Sequence, residues 1–191
     1  MDIEDFQIID EKTDAAETGP RHRFVDVDDV EDIENLWDYR SGGLHPLCIG
    51  DHLNHRYRVI YKLGQGTYST VWMARDMIED INVAIKVGGA YSNGASECRI
   101  LSHLQAAEKT ESQQLHANNL AIPLLKDHFY VQGPNGTHPC LVTQVASMSM
   151  KDACEVSDIG IFQLPVARAA AAQLACAIKY IHERGVVHGG K

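Results

Sequence analysis

Leu63-Gly64-Gln65-Gly66-Thr67-Tyr68-Ser69-Thr70-Val71, followed by Val83-Ala84-Ile85-Lys86, is the stretch on which the reading of this chain turns. Two glycines without Cβ atoms let backbone N–H groups come close to phosphate oxygens, and β-forming residues lie on both sides. An ordinary hairpin turn is the plain alternative. A dinucleotide-binding loop also begins G-x-G, but it needs a helix directly after the glycines, whereas Val71-Trp72-Met73-Ala74 is strand-like and Ser69 stands where a third glycine would be. No G-K-[ST] follows at the spacing of a Walker A loop. The loop alone therefore decides little, and the weight passes to the next strand. There Lys86 puts a cation within reach of phosphates, and Ala84 is small enough to lie beneath a purine.

Working outward, segments 57–63, 70–74 and 82–87 are rich in β-formers, and 64–69 and 76–80 lie between them. An antiparallel three-strand meander is the economical topology. Ser92-Asn93-Gly94 then starts a helix on which Glu97, Ile100, Leu101 and Leu104 share one stripe facing the core. A carboxylate on such a stripe needs a partner, because desolvating it alone is costly. Lys86, eleven residues earlier, is the natural one. Segments 129–131 and 140–145 form a hairpin around Gly133-Pro134-Asn135-Gly136 and bring the sheet to five strands. Pro165 opens a long helix with Val166, Ala170, Leu174, Ala177, Ile178 and Ile181 in one apolar stripe; Gly185 ends it, and Val186-Val187-His188 reads as a short strand.

Composition narrows the function classes. The 191 residues are 45% hydrophobic, enough for one ordinary core. The net charge of -9 is uneven: residues 1–40 hold 14 Asp and Glu against 4 Lys and Arg, and the remainder is close to neutral. Residues 1–36 therefore read as a solvated acidic arm, with docking of basic partners as the sharper alternative. The near-neutral body presents no basic face, so nucleic acid is not an expected partner, and no stretch is apolar enough to make a membrane one. The start, Met1-Asp2-Ile3-Glu4-Asp5, lacks the features of a secretory signal. Five widely spaced cysteines with no C-x-x-C pair imply reduced thiols, an intracellular location and no zinc site.

The order G-x-G-x-x-S-x-V, V-A-I-K and helix Glu resembles the protein kinases. Upstream residues narrow the likeness: Asp38-Tyr39, Gly42-Gly43, His45-Pro46, Ile49-Gly50-Asp51, Asn54, Arg56-Tyr57 and Ser69-Thr70-Val71-Trp72 are similar to the lead-in and loop of SR-protein kinases. The likeness runs from 38 to 188, and those kinases also carry Ser in place of the third glycine. It implies an α+β fold: a kinase N-lobe of five antiparallel strands and one helix, followed by the first helices of a truncated C-lobe. The implied divisions are the arm 1–36, a lead-in 37–56, the N-lobe 57–146 and an incomplete C-lobe start 147–191. The implied ligand is ATP, held by Leu63, Gly64, Gln65, Gly66, Thr67, Ser69, Val71, Ala84, Lys86 and Glu97, with main-chain hinge contacts at Gln144 and Val145. Thr143 takes the gatekeeper position, Leu101 a spine position above His188, and Gln144 replaces the acidic hinge residue of the family. Basic Arg/Ser-rich proteins are the implied substrates, in cytoplasm or nucleus.

The pattern breaks at the catalytic loop. Where the family has His-x-Asp, this chain has His188-Gly189-Gly190, and glycine carries no carboxylate to serve as base. The loop Asn and the D-F-G Asp that hold Mg²⁺ in the family have no counterpart. No catalytic residue and no metal ligand is therefore expected, and the chain alone reads as inactive in phosphoryl transfer. The alternative reading is a non-catalytic pseudokinase or a nucleotide-binding interaction module.

Overall fold

The computed structural model describes residues 34–92, 94–106, 122–157 and 160–187. Of the acidic arm this includes only residues 34–36, and the Gly189-Gly190 substitution lies outside the described residues, as does His188.

Six antiparallel strands run in the order β1-β2-β3-β4-β6-β5. They are β1 (His52–Leu53), β2 (Tyr57–Gly66), β3 (Ser69–Asp76), β4 (Ile81–Gly88), β5 (Leu125–Gly133) and β6 (Gly136–Gln144). The five expected strands are all present, and the sheet is one strand wider than expected. Asn54 and His55 adopt φ of 51° and 52°, so the chain doubles back and sets Leu53 opposite Tyr57. Two successive left-handed residues form the tight reversal that a short hairpin requires. The expected loop 64–69 is mostly ladder: Gly64 pairs with Val71, Gln65 with Thr70 and Gly66 with Ser69, leaving Thr67 and Tyr68 as the turn.

Alternation along β4 separates two faces. Val83, Ile85 and Val87 are at most 1% exposed and join Tyr57, Val59, Trp72, Ala74, Cys140 and Val142 in the core. Each of the buried Val and Ile side chains is worth about 1.5–3 kcal/mol of burial. Leu53 belongs to this cluster and Leu47 packs on it, so the lead-in covers the face opposite Lys86. Burial also pushes the Cys140 thiol up to about 12. At the far end of the β2–β3 pair, Arg56 Nε and Nη2 donate to the two Asp76 oxygens at 2.9 and 2.7 Å. The Asp76 Oδ1 also accepts from the Ile78 and Glu79 amides, closing the β3–β4 turn.

Among the described residues three α-helices follow in chain order, α1 (Gly94–Ala106), α2 (Met150–Glu155) and α3 (Leu164–Glu183), besides a 3-10 turn at Leu36–Asp38. α1 packs on β5 and β6. Its stripe is less buried than expected: Leu104 is covered, whereas Ile100 is 41% exposed. The covered end is the one where Tyr180 of α3 donates to the Leu104 carbonyl at 2.8 Å. α2 was not expected, although Ser149 and Asp152 form a capping box that its sequence contains. α3 carries Pro165 in its first turn, and Gly185, whose φ is 69°, follows its C-cap Arg184. Ala177 and Tyr180 are buried, while Val166, Leu174 and Ile178 remain open. Residues 186–187 form no strand, since no neighbouring strand pairs with them among the described residues.

Candidate functional site

Strand register assembles the site. Val71 of β3 lies opposite Lys86 of β4, and Ala84 lies between Met73 on one side and Thr143 of β6 on the other. Lys86 and Ala84, two residues apart, share the face turned away from the core. Lys86 reaches α1, where its Nζ donates to Oε1 and Oε2 of Glu97, both at 2.8 Å. The pairing agrees with the spacing argument, but the burial does not: the two side chains are 41% and 42% exposed, so Glu97 is not a buried carboxylate. The stripe that carries it borders an open cavity instead of the sheet core.

That cavity measures about 370 Å³. Gly66, Thr67, Tyr68 and Ser69 of the glycine hairpin form one wall, Lys86 and Glu97 the floor, and Ser92 the side next to α1. The seat of α1 depends on small residues: a Cβ on Gly94 or Gly88 would collide with the Pro139 ring. The Ser92 hydroxyl oxygen is buried with no partner. Of the other expected residues, Leu63, Gly64, Gln65, Val71, Ala84, Gln144 and Val145 do not line this cavity. Leu63 is 40% exposed and Gln144 is exposed at the end of β6, while Ala84 is 7% exposed. The structure thus brings Gly66, Thr67, Ser69, Lys86 and Glu97 together around one cavity and leaves the remaining expected residues outside it. Among the described residues no group of three or more His, Cys, Asp or Glu could hold a metal ion.

Sequence reading missed the polar scaffold behind the site. His45 and His138 are both buried with ring centroids 4.7 Å apart, and His138 Nδ1 lies 3.1 Å from the Gly88 carbonyl oxygen. Burial and the neighbouring His138 depress the His45 pKa. The Gly42 amide donates to the Asn135 carbonyl, the Asn135 side chain donates to the Leu44 carbonyl, and Ala90 and Tyr91 donate to Gly43 and Gly42. The lead-in is therefore tied both to the β5–β6 turn and to the β4–α1 connection. His45-Pro46 was legible as a motif, but its contact with a strand ninety-odd residues later was not.

No protein-family model matches the chain. It is similar to serine/threonine-protein kinase SKY1 of Saccharomyces cerevisiae, with 32% identity over 166 residues, covering 84% of this chain and 22% of that protein. Protein kinase dsk1 of Schizosaccharomyces pombe is 34% identical over 161 residues, covering 81% and 29%. Human SRSF protein kinase 3 is 31% identical over 160 residues, covering 82% and 27%. The chain thus spans less than a third of the length of these curated relatives. The antiparallel sheet with its helix, the Lys86–Glu97 pair beside a glycine hairpin, and these likenesses place the chain in the SR-protein-kinase-like family, as an N-terminal kinase part.

Proposed function

We propose that this chain forms the ATP-binding lobe of a serine/threonine protein kinase of SR-protein-kinase type. The observation that carries the reading is the Lys86–Glu97 pair set in the floor of a cavity whose wall is the glycine hairpin. The cavity volume falls within the range of small-ligand sites. Its residues fit a polyphosphate: Lys86 supplies a cation, Gly66 lets the backbone approach closely, and the orphaned Ser92 hydroxyl offers a donor. Val71, Ala84 and Leu63 would flank the purine, with the main chain of Gln144 and Val145 facing its edge. Mg²⁺ would enter bound to the nucleotide phosphates.

Phosphoryl transfer to basic Arg/Ser-rich proteins in cytoplasm or nucleus would be the activity of a complete kinase of this type. A second reading, a nucleotide-binding module without transferase activity, is favoured by Gly189-Gly190 at the place of the catalytic-loop Asp. A domain division into arm, lead-in 37–56, N-lobe 57–146 and C-lobe start from 147 agrees with either. The chain is expected to gain thermal stability with ATP, by about 2.7 kcal/mol at a hundredfold excess over Kd. Radiolabelled ATP with an Arg/Ser-rich peptide should give no turnover above a Lys86→Ala control. Turnover above that control would overturn the second reading, and absence of any ATP-induced shift would overturn both.

A further inference from the structure

Tyr68 is half of the two-residue turn at the tip of the glycine hairpin, and its ring meets that of Tyr91 edge to face, with centroids 5.6 Å apart and planes at 87°. Both rings are more than half exposed, so neither belongs to the core. The backbones are tied at the same place: the Gly89 amide donates to the Tyr68 carbonyl at 2.9 Å. Gly89 sits close beneath this pair, since a Cβ there would lie 3.3 Å from the Tyr91 ring and from the Gly43 carbonyl oxygen. Tyr91 in turn is not free to follow the hairpin. Its amide donates to the Gly42 carbonyl at 3.0 Å, and the Ala90 amide donates to Gly43 at 2.9 Å. The lead-in therefore holds Tyr91, and Tyr91 holds the tip of the hairpin that walls the cavity.

We propose that Tyr91 is a positioning residue that pins the tip of the glycine hairpin over the Lys86–Glu97 end of the cavity, acting through the ring of Tyr68. The role of the cavity rests on the nucleotide reading given above; the pinning itself does not. An aromatic hairpin tip with no anchor would sample open positions, and each closure onto a ligand would then carry an ordering cost. An edge-to-face pair biases the tip toward the closed position, by roughly two- to tenfold in population. Tyr91 does not line the cavity, whereas Tyr68 does, so Tyr91 acts through the hairpin.

The test uses the full chain with Tyr91→Ala, Tyr91→Phe, Tyr68→Ala and the double alanine variant. Hydrogen exchange of amides 64–69 is followed by mass spectrometry without ligand, and ATP is then titrated into each protein. Tyr91→Ala and Tyr68→Ala should each speed hairpin exchange and weaken ATP binding several-fold. The double variant should be no worse than either single one, and Tyr91→Phe should match the parent. Unchanged hairpin exchange in Tyr91→Ala, or single effects that add in the double variant, would overturn the proposal. Because the exchange measurement needs no nucleotide, it still decides the matter if the parent chain binds no ATP. Should Tyr91→Ala fail to fold, Tyr91→Leu, which keeps bulk but no aromatic ring, takes its place in the same comparison, with the same outcomes expected.

Discussion

Lys86 holds both oxygens of the Glu97 carboxylate at 2.8 Å, yet each side chain keeps about two-fifths of its surface open to solvent. An ion pair so exposed contributes no more than about 1 kcal/mol to stability. Its geometry is therefore better understood as orienting a cation in a cavity than as holding the fold together. Glu97→Gln should leave urea stability within about 1 kcal/mol of the parent while weakening ATP binding. A loss of several kcal/mol in the same melt would show that the pair is a structural element after all.

Arg56 and Asp76 present the opposite case. Asp76 is 2% exposed, and the Arg56 hydrogen bonds hold its carboxyl at about 2, below the usual 3.8. A carboxyl depressed in the folded state stabilises fully above its usual pKa and loses that contribution as pH falls through about 2. Stability of the parent should thus decline between roughly pH 4 and pH 2. Asp76→Asn should destabilise the protein at neutral pH, even though Arg56 keeps Glu79 at 3.2 Å and Asp127 at 3.9 Å, and should flatten the decline over that window. Urea melts across pH 2 to 7 on both proteins check this, and parallel curves would contradict it.

Gly94 tests how α1 is seated. Alanine normally favours a helix over glycine by up to about 1 kcal/mol. Here a Cβ would run into Pro139 of β6, so Gly94→Ala should destabilise by about 1–3 kcal/mol and shift Glu97 away from Lys86. The expected signs are a lower Tm and faster exchange along 94–106. A higher Tm would mean that α1 rests more loosely on the sheet than the structure indicates.

Limited proteolysis addresses the two halves of the molecule. Val156, Ile161 and Leu164 are more than 60% exposed around the α2–α3 connection, and α3 leaves Leu174 and Val166 open. The first cuts should fall between 150 and 165, leaving a more durable fragment that contains the six strands. Equal resistance along the whole chain would argue that α2 and α3 are as firmly held as the sheet.

Much of this arrangement was readable in advance because it depends on local patterns. The strands followed from β-rich runs punctuated by Gly64, Gly66 and Gly133, and the Lys86–Glu97 pair followed from one strand, one helix and their spacing. What escaped depends on contacts between distant segments. The exposure of Glu97 and Ile100 reflects which flank of α1 meets the sheet, which helical periodicity alone does not specify. The tilted contact of His45 with His138, the bond from Tyr57 to Asp127 and the grip of Gly42 on Tyr91 join residues with no sequence signal linking them. The short strand at His52–Leu53 was hidden because Asn54 and His55 carry the left-handed turn without a glycine.

The most direct test is calorimetric titration of ATP into the parent chain and into Lys86→Met. The parent should bind saturably, and the variant, with its fold intact by circular dichroism, should bind at least tenfold more weakly, a difference of about 1.4 kcal/mol. Equal affinity in the two proteins would contradict the claim that Lys86, held by Glu97 beneath the glycine hairpin, forms a nucleotide site.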